Sequence, residues 1–198
     1  MGRVAILGAG SWGSALAVHL ARVGHEVTLW ARDASLAEAL GRERVNRVYL
    51  PAIELPAGIT PTAALDRAVD GADTVVAAVP SHGCRAVIRA AVPHLRPRAR
   101  LVSATKGLES GSLLRMSEVI AAEAGASHPV VVLSGPSFAI EVAKQQPTAV
   151  LAASTDAEAT DAVQADFRGP FFRLYGSSDV VGVELCGALK NVIAIAAG

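Results

Sequence analysis

Short apolar runs alternate along the chain with stretches that carry apolar residues at helical spacing. The runs include Arg3–Leu7, Glu26–Trp30 and residues 73–79 and 101–104, and a helical stretch at 14–23 separates the first two. Runs this short that are apolar on both faces are typical of buried parallel strands, with helices forming the crossovers between them. The pattern predicts an α/β fold with a doubly wound, mostly parallel sheet.

The second half of the chain continues this alternation with one change. Strands are predicted at 130–133, 148–152 and 171–175, and a helix at Ala157–Phe167. From Asp179 onward a single helical pattern runs to Gly198, with its polar residues on a narrow stripe. An almost wholly apolar helix needs other helices around it. We therefore predict a nucleotide-binding domain over 1–178 and the start of a truncated all-helical domain over 179–198.

Two further regions have a less regular pattern. Residues 83–91 form a predicted helix that stops before Pro93, and Asp33 is placed to cap a helix over 34–40. Between them, residues 43–61 are polar and marked by proline. We expect this stretch to be a surface connection with one short strand at Ile59.

Composition narrows the class of protein. The chain is 52% hydrophobic and 18% charged, with a formal net charge of zero, which is typical of a globular protein. No overall field favours nucleic acid or an anionic membrane, so neither partner is expected. The apolar C-terminal stretch contains Glu184, Lys190 and Asn191, which a lipid-spanning helix would not tolerate. Cys84 and Cys186 lack a CxxC partner, and we expect reduced thiols in a cytoplasmic protein.

The segment GAGSWG, from Gly8 to Gly13, follows the first strand and opens the first helix. In that context the spacing GxGxxG predicts a dinucleotide site on a Rossmann-type sheet. Gly8 permits the tight turn, Gly10 lets the backbone approach a diphosphate, and Gly13 lets the helix pack on the strand. Ser11 and Trp12 lie at the tip, where they can contact the cofactor. A strand–helix turn without a ligand is the alternative.

The end of the second strand bears on the choice between NAD and NADP. A carboxylate that binds ribose is expected about twenty residues beyond the loop, and Arg32 and Asp33 lie there. Arg32 can pair with a 2′-phosphate, whereas Asp33 can accept the ribose hydroxyls or simply cap a helix. We predict NADP as the preferred cofactor, with NAD possible and a solvated Arg32 as the alternative.

Two of the three lysines are candidates for chemistry. Lys106 follows a strand at the carboxyl edge of the sheet, where open α/β folds bind ligands. Lys190 lies on the polar stripe of the last helix, where burial and a nearby cation would lower its pKa and suit proton exchange. The alternatives are a loop-surface lysine for Lys106 and an ion pair with Glu184 for Lys190. Lys144 is predicted to be solvated.

A turn at Ser134–Gly135–Pro136–Ser137 joins a strand to a helix, so its N–H groups and hydroxyls can hold a polar substrate. Helix capping by Ser137 is the alternative. The five histidines adjoin no cysteine or carboxylate cluster in the sequence, so we expect no metal site.

Six segments in order resemble the bacterial-type NAD(P)-dependent glycerol-3-phosphate dehydrogenases, and together they span nearly the whole chain. They are GAGSWGSALA from Gly8, NRVYLPAIELP from Asn46, AVPSH from Ala78, SATKGLE from Ser103, LSGPSFAIEVA from Leu133 and VELCGALKNVIAIAAG from Val183. The resemblance implies an enzyme that interconverts dihydroxyacetone phosphate and sn-glycerol 3-phosphate for glycerophospholipid synthesis in the cytoplasm, as a homodimer at full length.

The resemblance also implies roles for individual residues. The implied cofactor contacts are Ser11, Trp12, Arg32, Tyr49, Lys106 and Ala139, beside the glycine turn. The implied substrate contacts are Lys106, Gly135, Ser137, Lys190 and Asn191. Lys190 would accept the proton during alcohol oxidation, and Lys106 would touch both cofactor and substrate.

The family carries further phosphate-binding residues beyond the last position of this chain, so we expect the chain alone to bind cofactor but to be weakly active or inactive. Two other functions stay open. One is an NADP-dependent Rossmann reductase of a small hydroxy or keto acid, and the other is a non-catalytic NADP-binding module.

Overall fold

The computed structural model describes residues 1–198, apart from the side chain of Asn191. The strands are β1 (Arg3–Leu7), β2 (Glu26–Trp30), β3 (Val45–Asn46), β4 (Leu50–Glu54), β5 (Ile59–Thr62), β6 (Thr74–Ala77), β7 (Arg100–Ser103), β8 (Val130–Ser134), β9 (Thr148–Ala153) and β10 (Phe172–Ser177). The helices are α1 (Ser11–Arg22), α2 (Ala34–Glu43), α3 (Leu65–Val69), α4 (Ser81–Ala91), α5 (Met116–Ala124), α6 (Ala139–Ala143), α7 (Ala157–Phe167) and α8 (Val180–Ala197).

Eight strands form one sheet in the order β10–β9–β8–β7–β6–β1–β2–β5, and β3 and β4 form a separate antiparallel pair. Every neighbouring pair in the large sheet is parallel except β8 and β9, which are antiparallel. The chain therefore has the predicted doubly wound, mostly parallel architecture of the Rossmann type. The carboxyl ends of β1, β2, β6, β7 and β8 share one edge of the sheet.

The sheet lies between two helical layers because successive strand residues point to opposite faces. In β1, Val4 and Ile6 belong to the core on one face, whereas Ala5 and Leu7 belong to the core on the other. Helices α1 and α7 cover the first face, and α3, α4 and α5 cover the second. Both cores are closed, since buried side chains such as Phe167 and Ile120 have no exposed surface.

Several predicted boundaries agree closely with the structure. The bounds of β1, β2 and α7 are those predicted, and Asp33 caps α2 by accepting a hydrogen bond from the Ser35 amide at 2.8 Å. Helix α1 starts three residues earlier than expected because Gly10, rather than a later residue, is its N-cap.

The prediction for residues 43–61 was wrong in part. Besides the strand that contains Ile59, this stretch forms the hairpin of β3 and β4. Strand β3 has only two residues, and Pro51 interrupts the alternation in β4, so the pattern in the sequence is too short to show a strand. Buried Asn46 closes the hairpin against the glycine turn, as described below.

Helix α8 packs its first turns on β8 and β9 through a small cluster of Val132, Ala153 and Val183, with Val180 partly buried beside it. The rest of its apolar surface is exposed, at Val181, Leu185, Leu189, Val192, Ile193 and Ile195. No helix among the described residues has both the length and the apolarity needed to cross a bilayer.

Candidate active site

The turn between β1 and α1 is built from three glycines in different surroundings. Gly8 has a φ of 119°, and a Cβ there would lie 2.6 Å from the Ala78 carbonyl oxygen. A Cβ on Gly13 would lie 1.9 Å from the Gly8 carbonyl oxygen, so α1 can sit on the turn only without a side chain there. A Cβ on Gly10 would meet nothing within 4 Å and would instead occupy open space.

The N-terminus of α1 faces that open space. No side chain caps it, since Gly10 is the N-cap. Its first N–H groups and the positive end of the helix dipole therefore suit an anion. A groove of about 290 Å³ runs past the turn, and Gly8, Gly10, Trp30, Arg32, Asp33, Tyr49, Pro80 and His82 are among its lining residues. The open space at Gly10, beside the uncapped start of α1, suits a diphosphate.

Trp12, in the first turn of α1, carries a hydrogen-bond donor in its indole ring. Its indole packs against the core, and its Nε1 is buried with no hydrogen-bond partner within the described part of the chain. An unsatisfied buried donor costs on the order of 1–3 kcal/mol. A bound ligand that accepted this hydrogen bond would recover that free energy.

The hairpin holds Tyr49 at the groove through one asparagine. Asn46 donates from Nδ2 to the Ala9 carbonyl at 2.9 Å and to Ser14 Oγ at 2.8 Å. Its Oδ1 accepts from the Tyr49 amide at 3.1 Å. Asn46 begins one of the six segments that resemble the family, but no function was predicted for it from the sequence.

Arg32 and Asp33 differ in how their side chains are used. The Asp33 carboxylate accepts from both the amide and the hydroxyl of Ser35, which lowers the pKa of that carboxyl. Its capping role therefore occupies one of its oxygens. Arg32 is exposed at the rim of the groove, where its guanidinium is accessible to a phosphate.

Lys106 lies just beyond the end of β7 and bridges to the neighbouring strand. Its ammonium group donates to the Gly135 carbonyl oxygen at 3.1 Å, across the ends of β7 and β8. Burial lowers the pKa of Lys106, and the positive charge of Lys190 lowers it further. The two lysines, which come from distant stretches, thus lie close enough for their charges to interact.

Lys190 lines a second groove of about 480 Å³ together with Gly135, Cys186 and Gly187. The expectation that Lys190 itself is buried was wrong, because no described residue covers that part of α8 and Lys190 is exposed. The predicted role of Asn191 concerns a side chain outside the described part of the structure.

The family follows from comparison of this chain with known proteins. The model described as the NAD-dependent glycerol-3-phosphate dehydrogenase N-terminus matches residues 3–160. The chain belongs to this dehydrogenase family. The model of the same family's C-terminus matches residues 179–198.

Individual relatives agree with this family. A glycerol-3-phosphate dehydrogenase [NAD(P)+] of Geobacter metallireducens is 48% identical over 198 residues, covering 99% of this chain and 59% of the relative. The relative of the same name from Koribacter versatilis is 48% identical over 201 residues, covering 100% and 60%. A crystal structure of glycerol-3-phosphate dehydrogenase from Coxiella burnetii superposes with a TM-score of 0.92 at 40% identity, covering 98% of this chain and 59% of that one. The chain thus spans about three-fifths of the length of these relatives.

The turn after β8 brings Gly135 to the second groove. A Cβ on Gly135 would lie 3.0 Å from Val150 Cα, so the turn lies against β9. Ser137 does not cap the next helix, because Phe138 is the N-cap of α6. The Ser137 hydroxyl instead points back to the Gly135 carbonyl oxygen at 3.4 Å. Ala139, an implied cofactor contact, is half-buried against the core at the start of α6.

An ion-pair network anchors the loop that follows Lys106. Both side-chain oxygens of Glu109 accept from Arg85 at 2.7 Å, and Arg85 also donates to Glu123 at 2.6 Å. The bonds from Arg85 hold the pKa of Glu109 at about 2, and Arg89 together with Arg85 holds the pKa of Glu123 at about 2. The network ties the loop to α4 and α5, and none of its members was singled out from the sequence, since their partners lie on separate elements.

We predict that Arg85→Met lowers the free energy of unfolding at pH 7 and that the deficit shrinks as the pH falls from about 4.5 to 2. The carboxyl pKa values are depressed only in the folded state, so the stabilisation is present above the ordinary value of 4.5 and disappears as both groups protonate on the way to about 2. Urea unfolding at pH 7, 4 and 3 measures this. The control is Arg168→Met, at an exposed arginine after α7. A deficit of the same size at pH 7 and pH 3 would contradict the assignment.

Proposed function

We propose that the protein reduces dihydroxyacetone phosphate to sn-glycerol 3-phosphate with NADPH, supplying the backbone of glycerophospholipids. One observation carries the proposal: the charges of Lys106 and Lys190 interact at the sheet edge that also carries the glycine turn, where open space at Gly10 suits a diphosphate. Family membership supports the same reaction, since the relatives named above are glycerol-3-phosphate dehydrogenases.

The cofactor would be held by the residues around the first groove. Amides at the start of α1 would bind the diphosphate beside Gly8, Gly10 and Ser11, and Gly13 would keep the helix close enough to do so. When bound, the nicotinamide of NADPH supplies the hydride. Three side chains would contribute further contacts: Arg32 to a 2′-phosphate, Tyr49 at the groove wall and Trp12 through its indole N–H.

The two lysines would perform different tasks on the substrate. Lys190, accessible at the second groove, would donate a proton to the carbonyl oxygen as the carbonyl carbon is reduced, and would accept it back in the oxidative direction. Lys106 would place a second positive charge near the developing alkoxide, where a partly desolvated cation is effective. Gly135 and Ser137 would orient the substrate at the turn after β8, with Asn191 and the cofactor contact Ala139 as implied by the resemblance.

The division of the chain into residues 1–178 and 179–198 is part of this proposal. The sheet ends at Ser177, and the C-terminal family model begins its match at residue 179, which supports the boundary. The homodimer and the cytoplasmic location stay predictions.

We expect Lys190→Ala to lower NADPH oxidation by dihydroxyacetone phosphate at least about 100-fold, as expected when a general acid is lost. Affinity for NADPH should stay within about twofold, because Lys190 lies at the second groove. Absorbance at the NADPH band, in the protein as expressed from its own gene, measures turnover, and Lys144→Ala is the control at an exposed lysine.

Other outcomes separate the alternatives. Unchanged turnover of Lys190→Ala would remove the catalytic assignment. A wild-type protein that reduced a keto acid but not dihydroxyacetone phosphate would be the other kind of reductase. A protein that binds NADPH but reduces neither dihydroxyacetone phosphate nor any keto acid tested would be a binding module.

We predict that the chain binds NADPH more tightly than NADH and that Arg32→Ala weakens NADPH binding roughly tenfold while leaving NADH binding unchanged. The estimate corresponds to loss of one charge-assisted contact to a 2′-phosphate, worth about 1.5 kcal/mol. Nucleotide fluorescence measures both affinities, with Arg42→Ala on α2 as the control at an exposed arginine. Equal affinities for the two nucleotides in the wild-type chain would contradict the role of Arg32.

A further inference from the structure

Glu184, in the second turn of α8, is held by three hydrogen bonds from the start of α5. Its Oε2 accepts from Arg115 Nη1 at 2.9 Å and from Ser117 Oγ at 2.5 Å, and its Oε1 accepts from the Ser117 amide at 2.8 Å. The side chain is only 7% exposed. A buried carboxylate with this many donors is tightly fixed, because releasing it would leave a desolvated charge unpaired. Glu184 is therefore bound to α5 through Arg115 and Ser117.

Helix α5, which binds Glu184, is itself fixed in the core. Its Met116, Val119 and Ile120 have no exposed surface and belong to the core beneath the sheet. Arg115 is itself held, since its amide donates to Glu118 at 2.9 Å and its guanidinium pairs with the same carboxylate at 2.8 Å. The helix packs on β7 and β8, the two strands whose ends carry Lys106 and the Gly135 turn. A group fixed to α5 is thus fixed relative to Lys106.

The apolar contacts of α8 are few by comparison. Val183 is the buried apolar residue of the helix, and Val180 lies partly buried near it. A Cβ on Gly187 would lie 2.5 Å from Ser134 Oγ, so the helix passes close to the end of β8 at that point. Leu185 and Leu189 are exposed. The hydrogen bonds of Glu184 therefore contribute strongly to the position of α8 on the sheet.

Lys190 follows Glu184 by six residues, roughly 9 Å along the helix axis. Both residues lie on the polar stripe, with Gly187 between them. Because the helix is rigid, a change in the position of the Glu184 side chain on α5 also moves Lys190. It would alter the distance between the two ammonium groups, whose interaction energy falls as that distance grows.

We propose that Glu184, bound by Arg115 and Ser117, is a positioning residue that sets the separation of the Lys190 and Lys106 ammonium groups. The geometric statement concerns this chain alone, whereas its consequence for turnover rests on the proposed function. Glu184 is not proposed to contact the substrate or the cofactor. It acts through the position of Lys190.

The test is the titration of Lys106 in the Glu184→Gln variant. The chain has three lysines, Lys106, Lys144 and Lys190, so ¹³C-dimethylation of the amines gives three lysine signals beside that of the N-terminal amine, and the lysine signals are assigned by substitution. We expect the pKa of Lys106 to rise in Glu184→Gln, because Lys190 is released from its neighbourhood. Simple removal of a negative charge would do the opposite, since losing an anion destabilises a nearby ammonium. The direction of the change therefore separates repositioning from a direct electrostatic effect.

A second substitution makes the result specific to Lys190. Lys190→Met should raise the pKa of Lys106 in the wild-type background and have a smaller effect in the Glu184→Gln background. Glu118→Gln is the matched control, because it removes a charge next to Arg115 and leaves the Glu184 contacts in place. Should Glu184→Gln fail to fold, Ser117→Ala removes one of the three bonds without unpairing a charge, and a smaller change in the same direction is expected.

An unchanged or lowered pKa of Lys106 in Glu184→Gln, or an equal effect of Lys190→Met in both backgrounds, would overturn the proposal. In the protein as expressed from its own gene, Glu184→Gln should lower kcat roughly 10- to 100-fold with NADPH affinity unchanged. A wild-type protein without turnover would refute the proposed function, whereas the lysine titrations would still decide the positioning role.

Discussion

The close approach of α1 to the end of β1 is the contact on which the site depends. Without a side chain at Gly13, the helix sits directly on the Gly8 carbonyl, and its uncapped N-terminus opens toward Gly10. A methyl group on Gly13 would push α1 away from the Gly8 carbonyl, and the N–H groups at the start of the helix would then turn away from the groove. The same contact sets the position of Asn46 and Tyr49, because Asn46 bonds to Ala9 and Ser14 on either side of the turn.

The topology of the sheet then brings the two lysines to the edge formed by the carboxyl ends of its parallel strands. Strands β7 and β8 are parallel neighbours, so the loops after them meet, and the bond from Lys106 to Gly135 joins the two. Strands β9 and β10 both run antiparallel to β8, so α8 begins at the opposite edge of the sheet and runs back along β8 until Gly187 reaches Ser134 at the carboxyl end of that strand. Lys190 thereby arrives over the end of β8 although it lies far from Lys106 in sequence. Polar contacts made by Arg85, Glu109 and Glu184 hold these segments in place.

The architecture could be predicted because parallel strands buried on both faces leave a strong apolar signal. The glycine turn and Lys106 could be located for the same reason, since their positions follow directly from the ends of predicted strands. The hairpin could not, because its first strand has two residues. Contacts between separate elements could not be predicted from the sequence either. The sequence offered Lys190 as a partner for Glu184 only because its charge has the right sign, whereas the fold supplies Arg115 and Ser117. Burial of Lys190 was mispredicted because the pattern shows an apolar helix but not what covers it.

We propose that the open space at Gly10 receives the diphosphate of a dinucleotide. NADPH affinity of the Gly10→Val chain tests this most directly, because a Cβ there meets no protein atom and the backbone φ of −71° is acceptable for any residue. If the diphosphate binds at Gly10, the substitution lowers NADPH affinity at least roughly tenfold, about 1.4 kcal/mol, with the thermal unfolding midpoint nearly unchanged. A Gly10→Val chain that folds normally and binds NADPH as tightly as the wild type would contradict it.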